Sequence, residues 1–137
     1  MLIDEVEDWI RDARKAVAEH GKVEEKQRLL ELEEQTRKVI NDGDIELLRK
    51  KLDELRRLYY GLMWQQPRWV NGFFYHLETQ KAMMTDASRA AVLISRGNRA
   101  IDAGDFEQVQ AVVIELLELI PEDRREEQRL AFGSTVQ

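Results

Sequence analysis

The chain has 137 residues, of which 43% are hydrophobic and 35% charged, the length of one ordinary domain with enough apolar content to bury a core. Its 27 Asp and Glu outnumber 21 Lys and Arg, for a formal net charge of -6, which argues against a nucleic-acid partner, because phosphate-backbone binding needs a basic face. The absence of cysteine excludes disulfides, thiolate zinc sites, iron-sulfur clusters and cysteine nucleophiles, and favours a cytoplasmic location. The opening residues carry Asp4, Glu5, Glu7 and Asp8, the reverse of a secretory signal, and no apolar run approaches the roughly 20 residues that span a bilayer.

Six helices are expected in chain order. Leu2, Val6, Trp9, Ile10, Ala13 and Val17 recur at steps of three and four and stop near Gly21, which predicts a first amphipathic helix. A second runs from about Val23 to Ile40, with Leu29, Leu30, Leu32 and Val39 among many charges that can pair across one turn. At Asn41, Asp42, Gly43 and Asp44 the chain reads as a tight reversal: Gly43 can adopt the left-handed conformation and Asp44 can cap the next helix. The third helix then carries Ile45, Leu48, Leu52, Leu55, Leu58 or Tyr59, and Leu62 as its buried stripe and should pack antiparallel on the second. Pro67 suits the first turn of a fourth helix that ends near Met84. Thr85 or Asp86 caps a fifth, closed by Gly104, and Asp105 starts a sixth that Pro121 halts. The fold class is therefore all-α, a bundle of about six helices built from antiparallel hairpins, as one domain over residues 1–132 with residues 133–137 as a disordered tail. Residues 122–129 are almost all charged and read as a short or frayed helix.

Set at an offset of 61, Gly104 aligns with Gly43, Asp105 with Asp44, Glu107 with Glu46, Glu115 with Glu54 and Leu116 with Leu55. Most of these matches are residues that any helix–turn–helix reversal needs, which favours shared turn chemistry over duplication.

Catalytic parts are missing. His20 and His76 stand 56 positions apart with no second histidine one turn away, and both read as structural rather than as metal ligands. No glycine-rich phosphate loop, nucleophile elbow or His-Glu-x-x-His motif occurs, so neither an enzyme, a metal nor a cofactor is expected.

The unusual feature is aromatic. Tyr59, Tyr60, Trp64, Trp69, Phe73, Phe74 and Tyr75 place seven of ten aromatic residues within 17 positions, and between Tyr59 and Gln80 only Arg68 and Glu78 are ionised. Most of these rings belong in the core, but together they cover more than one helix face, so some reach the surface. Tyr60, Trp64, Arg68 and Tyr75 are the expected border of a partner-binding patch, since partly exposed aromatic and arginine side chains anchor interfaces.

The pattern also resembles a known family. Asn41, Asp42, Gly43, Asp44, Ile45 and Glu46, followed by Leu48, Leu52 and Leu55, look like the lid hairpin in the carboxyl-terminal helical region of seventy-kilodalton heat-shock chaperones of the DnaK type. Trp69, Phe73, Phe74, Leu77, Thr85 and Asp86, then Gly97, Ala100, Ile101, Gly104, Asp105, Leu116 and Pro121, resemble the helical extension of divergent members. The resemblance implies a non-catalytic chaperone module, without ATPase or β-sandwich, that serves as lid, co-chaperone dock or captor of unfolded polypeptide. The alternative is a free-standing helical adaptor or homodimerisation domain.

Overall fold

A computed structural model describes residues 1–125, and every regular element among them is helical. Six α-helices lie wholly among the described residues, α1 Leu2–His20, α2 Val23–Asp42, α3 Ile45–Met63, α4 Pro67–Thr79, α5 Ala87–Ala103 and α6 Phe106–Leu119, and residues 122–125, the described part of the expected charged helix, are helical as well. The expected tail at 133–137, and residues 126–132, lie outside the described part.

Local chemistry sets the ends. Gly43 (φ 72°) and Gly104 (φ 70°) hold the left-handed conformation after α2 and α5, which side chains resist and glycine accepts freely. Directly after each, an aspartate caps the next helix: the Leu47 N–H donates to Asp44 Oδ1 at 3.1 Å and the Gln108 N–H to Asp105 Oδ1 at 3.2 Å. Of the two candidate caps for α5, Asp86 serves, accepting from the Arg89 N–H at 3.0 Å, while the Thr85 N–H donates to the Leu119 carbonyl at the end of α6 (2.8 Å). The fourth helix is shorter than expected. It stops at Thr79, whose hydroxyl donates to the His76 carbonyl (2.6 Å), and a single 3-10 turn, Lys81–Met83, carries the chain on to Met84. Past Pro121, the Arg125 guanidinium donates to the carbonyls of Ile120 and Glu118, each at 3.0 Å, satisfying acceptors that the end of α6 leaves open.

By their contacts the described residues form two compact units, Met1–Gln65 and a second beginning at Gln66. In the first, α3 packs on both α1 and α2; in the second, α6 packs on both α4 and α5. Each core is apolar, with Val6, Leu32 and Leu55 fully buried in the first unit and Val70, Phe74, Leu77, Leu93, Val112 and Leu116 in the second. Each such side chain contributes about 1.5–3 kcal/mol through burial.

The two units correspond far beyond their turns. At the offset of 61, buried Trp9, Ala13 and Ala16 of α1 match buried Val70, Phe74 and Leu77 of α4. Leu29, Leu32 and Val39 match Ala90, Leu93 and Ala100; Leu48, Leu52, Leu55 and Tyr59 match Val109, Val113, Leu116 and Ile120, all buried. An inter-helix ion pair repeats as well: Arg28–Glu54 (3.7 Å) in the first unit and Arg89–Glu115 (2.9 Å) in the second. Turn chemistry alone would fix neither this pair nor the register of α1 and α4. The shared-turn reading is therefore replaced by a structural repeat of a three-helix unit. One pair of positions shows compensating volume. Where the first unit has Ala13 and Thr36, the second has Phe74 and Gly97, and a Cβ built on Gly97 would lie 2.2 Å from Phe74 Cε1.

Among the described residues, the buried carboxylates Asp12 and Glu33 both lie in the first unit. Asp12 stands where the second unit has the buried Phe73, with its side chain 10% exposed and Arg11 Nε 3.7 Å away. Burial raises its pKa above the ordinary 3.8, against the opposing pull of Arg11. A raised folded-state pKa means that the protonated form is favoured in the fold, so this stabilisation is complete below pH 3.8 and lost as pH rises through the folded pKa. Asp12→Asn is accordingly expected to raise the denaturation midpoint at pH 7, with the gain shrinking as the pH falls into the carboxylate range; a lower midpoint at pH 7 would show that the charge is stabilising there.

Candidate partner-binding surface

Helix geometry divides the aromatic segment between core and surface. Tyr59, one turn beyond Leu55 on the buried stripe of α3, is buried, with its ring 5.4 Å from Trp9 in an edge-on arrangement. Tyr60 follows it and is half-buried, its ring 5.6 Å from Trp9 and 5.3 Å from Tyr59. The Arg56 guanidinium stands 5.6 Å from the centre of the Trp9 ring and is fixed by an ion pair to Glu5 at 2.7 Å, which adds a cation–π contact to the cluster. On α4, Trp69 and Phe73 stack at 5.4 Å, and both are buried, as is Phe74. Four of the seven rings thus fill the two cores.

The four residues expected to border a patch fall into two pairs, one on each unit. Tyr60 and Trp64, one turn apart at the end of α3, are half-buried; the Trp64 N–H donates to the Tyr60 carbonyl at 2.9 Å. Arg68 and Tyr75, two turns apart on α4 and so on the same side of it, are exposed, Tyr75 by 45%.

A more pronounced apolar surface lies elsewhere in the first unit. The start of α1 and the α2–α3 reversal enclose a groove of about 310 Å³ walled by Leu2, Ile3, Val39, Ile40, Ile45 and Leu48, with Arg49 at its border. Ile45 is 61% exposed and Ile3 42%. Ile45 was expected on the buried stripe of α3. It is instead the first residue of that helix, directly after the Asp44 cap, where the end of the hairpin gives it no neighbouring turn to cover it. Sequence reasoning missed this groove, although one signal was present: Ile3 is a large apolar residue that falls between the stripe positions of α1, and it is exposed.

The groove lining is mainly aliphatic, with Asp44 and Arg49 also on it, and among the described residues no group of three or more His, Cys, Asp or Glu could hold a metal ion. Among the same residues, no helix is long and apolar enough to cross a membrane. Comparison with known proteins found no family model, no curated protein and no solved structure that matches the chain.

Proposed function

We propose that the chain is a non-catalytic helical interaction module, working in the cytoplasm, that holds an apolar segment of another polypeptide in the groove at the end of its first unit. The observation that carries this reading is the placement of Ile3 and Ile45, large aliphatic side chains left 42% and 61% exposed at the mouth of an apolar groove. Exposed apolar surface that gathers around a concavity is the ordinary mark of a binding site. The resemblance of the α2–α3 reversal to a DnaK-type lid hairpin gives the reading its specific form, a chaperone-associated module that captures unfolded polypeptide, because the groove is built at that same reversal.

The test is a titration of the labelled chain with a permanently unfolded, carboxymethylated client polypeptide. Binding is expected to be saturable and to weaken about tenfold or more in Ile45→Asp, a loss of roughly 1.4 kcal/mol. That substitution spares the fold, since an acidic residue at a helix's first position is favourable. Equal binding by Ile45→Asp, with loss in Tyr75→Ala or Trp64→Ala, would move the site to the aromatic residues. Absence of binding by every form would end the chaperone reading.

A further inference from the structure

Because the two units correspond position by position, one shows where the surface of the other has changed. On the solvent side of the first unit's α2–α3 hairpin stand Glu31, Glu34, Lys50 and Asp53, all exposed. The equivalent positions on the α5–α6 hairpin are Val92, Ser95, Ala111 and Ile114, also exposed. Val92 and Ile114 are each 49% exposed. The cores, caps and inter-helix ion pair are shared by the two hairpins, whereas the charge on this outer face is kept in one and removed in the other.

The charges that remain around the uncharged face are basic along α5, apart from the Asp86 cap and Asp102 near the turn, and acidic along α6. Along α5 run Arg89, Arg96 and Arg99; along α6 run Glu107, Glu115 and Glu118. Glu115 is shared by two guanidiniums, Arg89 at 2.9 Å and Arg96 at 3.8 Å, which leaves the α5 edge with surplus positive charge. The α6 edge keeps Glu107 and Glu118 exposed. A hairpin with basic side chains along one helix, acidic side chains along the other and Val92 and Ile114 exposed beside them is complementary to itself. A twofold axis lying in the contact plane, parallel to the two antiparallel helices, places α5 of each copy over α6 of the other and preserves level along the hairpin. At one level Val92 then meets Ile114 of the second copy. Towards the Gly104 turn Arg99 meets Glu107 of the second copy, and at the far end Arg89 meets Glu118 of the second copy. The same arrangement of the α2–α3 hairpin would oppose Glu31 to Asp53, carboxylate against carboxylate.

We propose that the outer face of the α5–α6 hairpin is a homodimer interface in which a second copy of this chain docks by this twofold. The proposal is independent of the groove on the first unit, and its test does not use a client. Sedimentation of the full chain over a wide concentration range should show reversible dimerisation that weakens with added salt. Installing the first unit's residues, Val92→Glu with Ile114→Asp, should weaken self-association about tenfold or more while the helical circular dichroism is unchanged. Should that double variant fail to fold, the exposed pair gives the same answer: Arg99→Glu or Glu107→Arg alone weakens the dimer, and the two combined restore it. The chain has no cysteine, so Val92→Cys combined with Ile114→Cys, which the twofold brings together, should oxidise to a disulfide-linked dimer. A wild-type chain that stays monomeric at every concentration would overturn the proposal. So would a dimer that the charge variants leave intact and Ile45→Asp dissolves.

Discussion

Replacing Gly97 by alanine is expected to destabilise the second unit by about 1–2 kcal/mol net, although alanine is the better helix former. Within α5 the added methyl would by itself gain up to about 1 kcal/mol, because glycine carries the larger backbone entropy cost. Against that gain stands the ring of Phe74, with Cε1 2.2 Å and Cζ 2.6 Å from where the new Cβ would lie. Phe74 is 0% exposed, so its ring has no solvent to swing into, and relieving the overlap means moving α4 from α5. Overpacking of that kind typically costs about 1–3 kcal/mol and sometimes more, and here it outweighs propensity. Denaturant titration should show the lowered midpoint. Adding Phe74→Leu to Gly97→Ala should recover part of the loss by vacating the ring's space, whereas the reverse change in the first unit, Thr36→Gly, should bring no relief of strain. An unchanged or raised midpoint for Gly97→Ala would mean that the two helices do not approach so closely.

The second large effect concerns the correspondence between the units. Leu55 on α3 and Leu116 on α6 occupy equivalent positions, and both are 0% exposed. Truncating either to alanine removes buried methyl groups and leaves a cavity, with an expected cost of about 2–5 kcal/mol. Because each leucine lies on the central helix of its unit and faces two others, neither site can collapse easily, and the two losses should fall in the same part of that range. Chemical denaturation of Leu55→Ala and Leu116→Ala measures both. A cost below about 1 kcal/mol at either position would show that its helix is not the centre of its unit.

The helices were legible because their signals are local. Gly43 with Asp44, Gly104 with Asp105, and Pro67 each punctuate a stripe of 3.6-residue period, and the α-helices begin where those residues say. Where the reading erred, the cause was tertiary. α4 ends at Thr79, and the Lys81–Met83 turn that follows leads to Thr85, whose N–H meets the Leu119 carbonyl of α6. The repeat was visible in its turns but not in its cores, since Ala13 against Phe74 and Thr36 against Gly97 are unlike pairs that make sense only when each small residue is seen beside its large or small counterpart. Of the candidate patch, Arg68 and Tyr75 on α4 share one side, as their seven-residue spacing implies. Of Leu58 and Tyr59, the stripe of α3 buries Tyr59, one turn beyond Leu55, and leaves Leu58 half-buried. The groove escaped notice because periodicity marks Ile45 as buried without saying that a helix's first residue has no turn before it to cover it.

Amide hydrogen exchange, followed with and without the carboxymethylated client, reads the binding surface directly. If the groove holds the client, slowed exchange should be concentrated in the first turns of α1 and in residues 39–49, which span the α2–α3 reversal, and Ile45→Asp should abolish it. Slowed exchange confined to α4, or none at saturating client, would contradict binding at the groove.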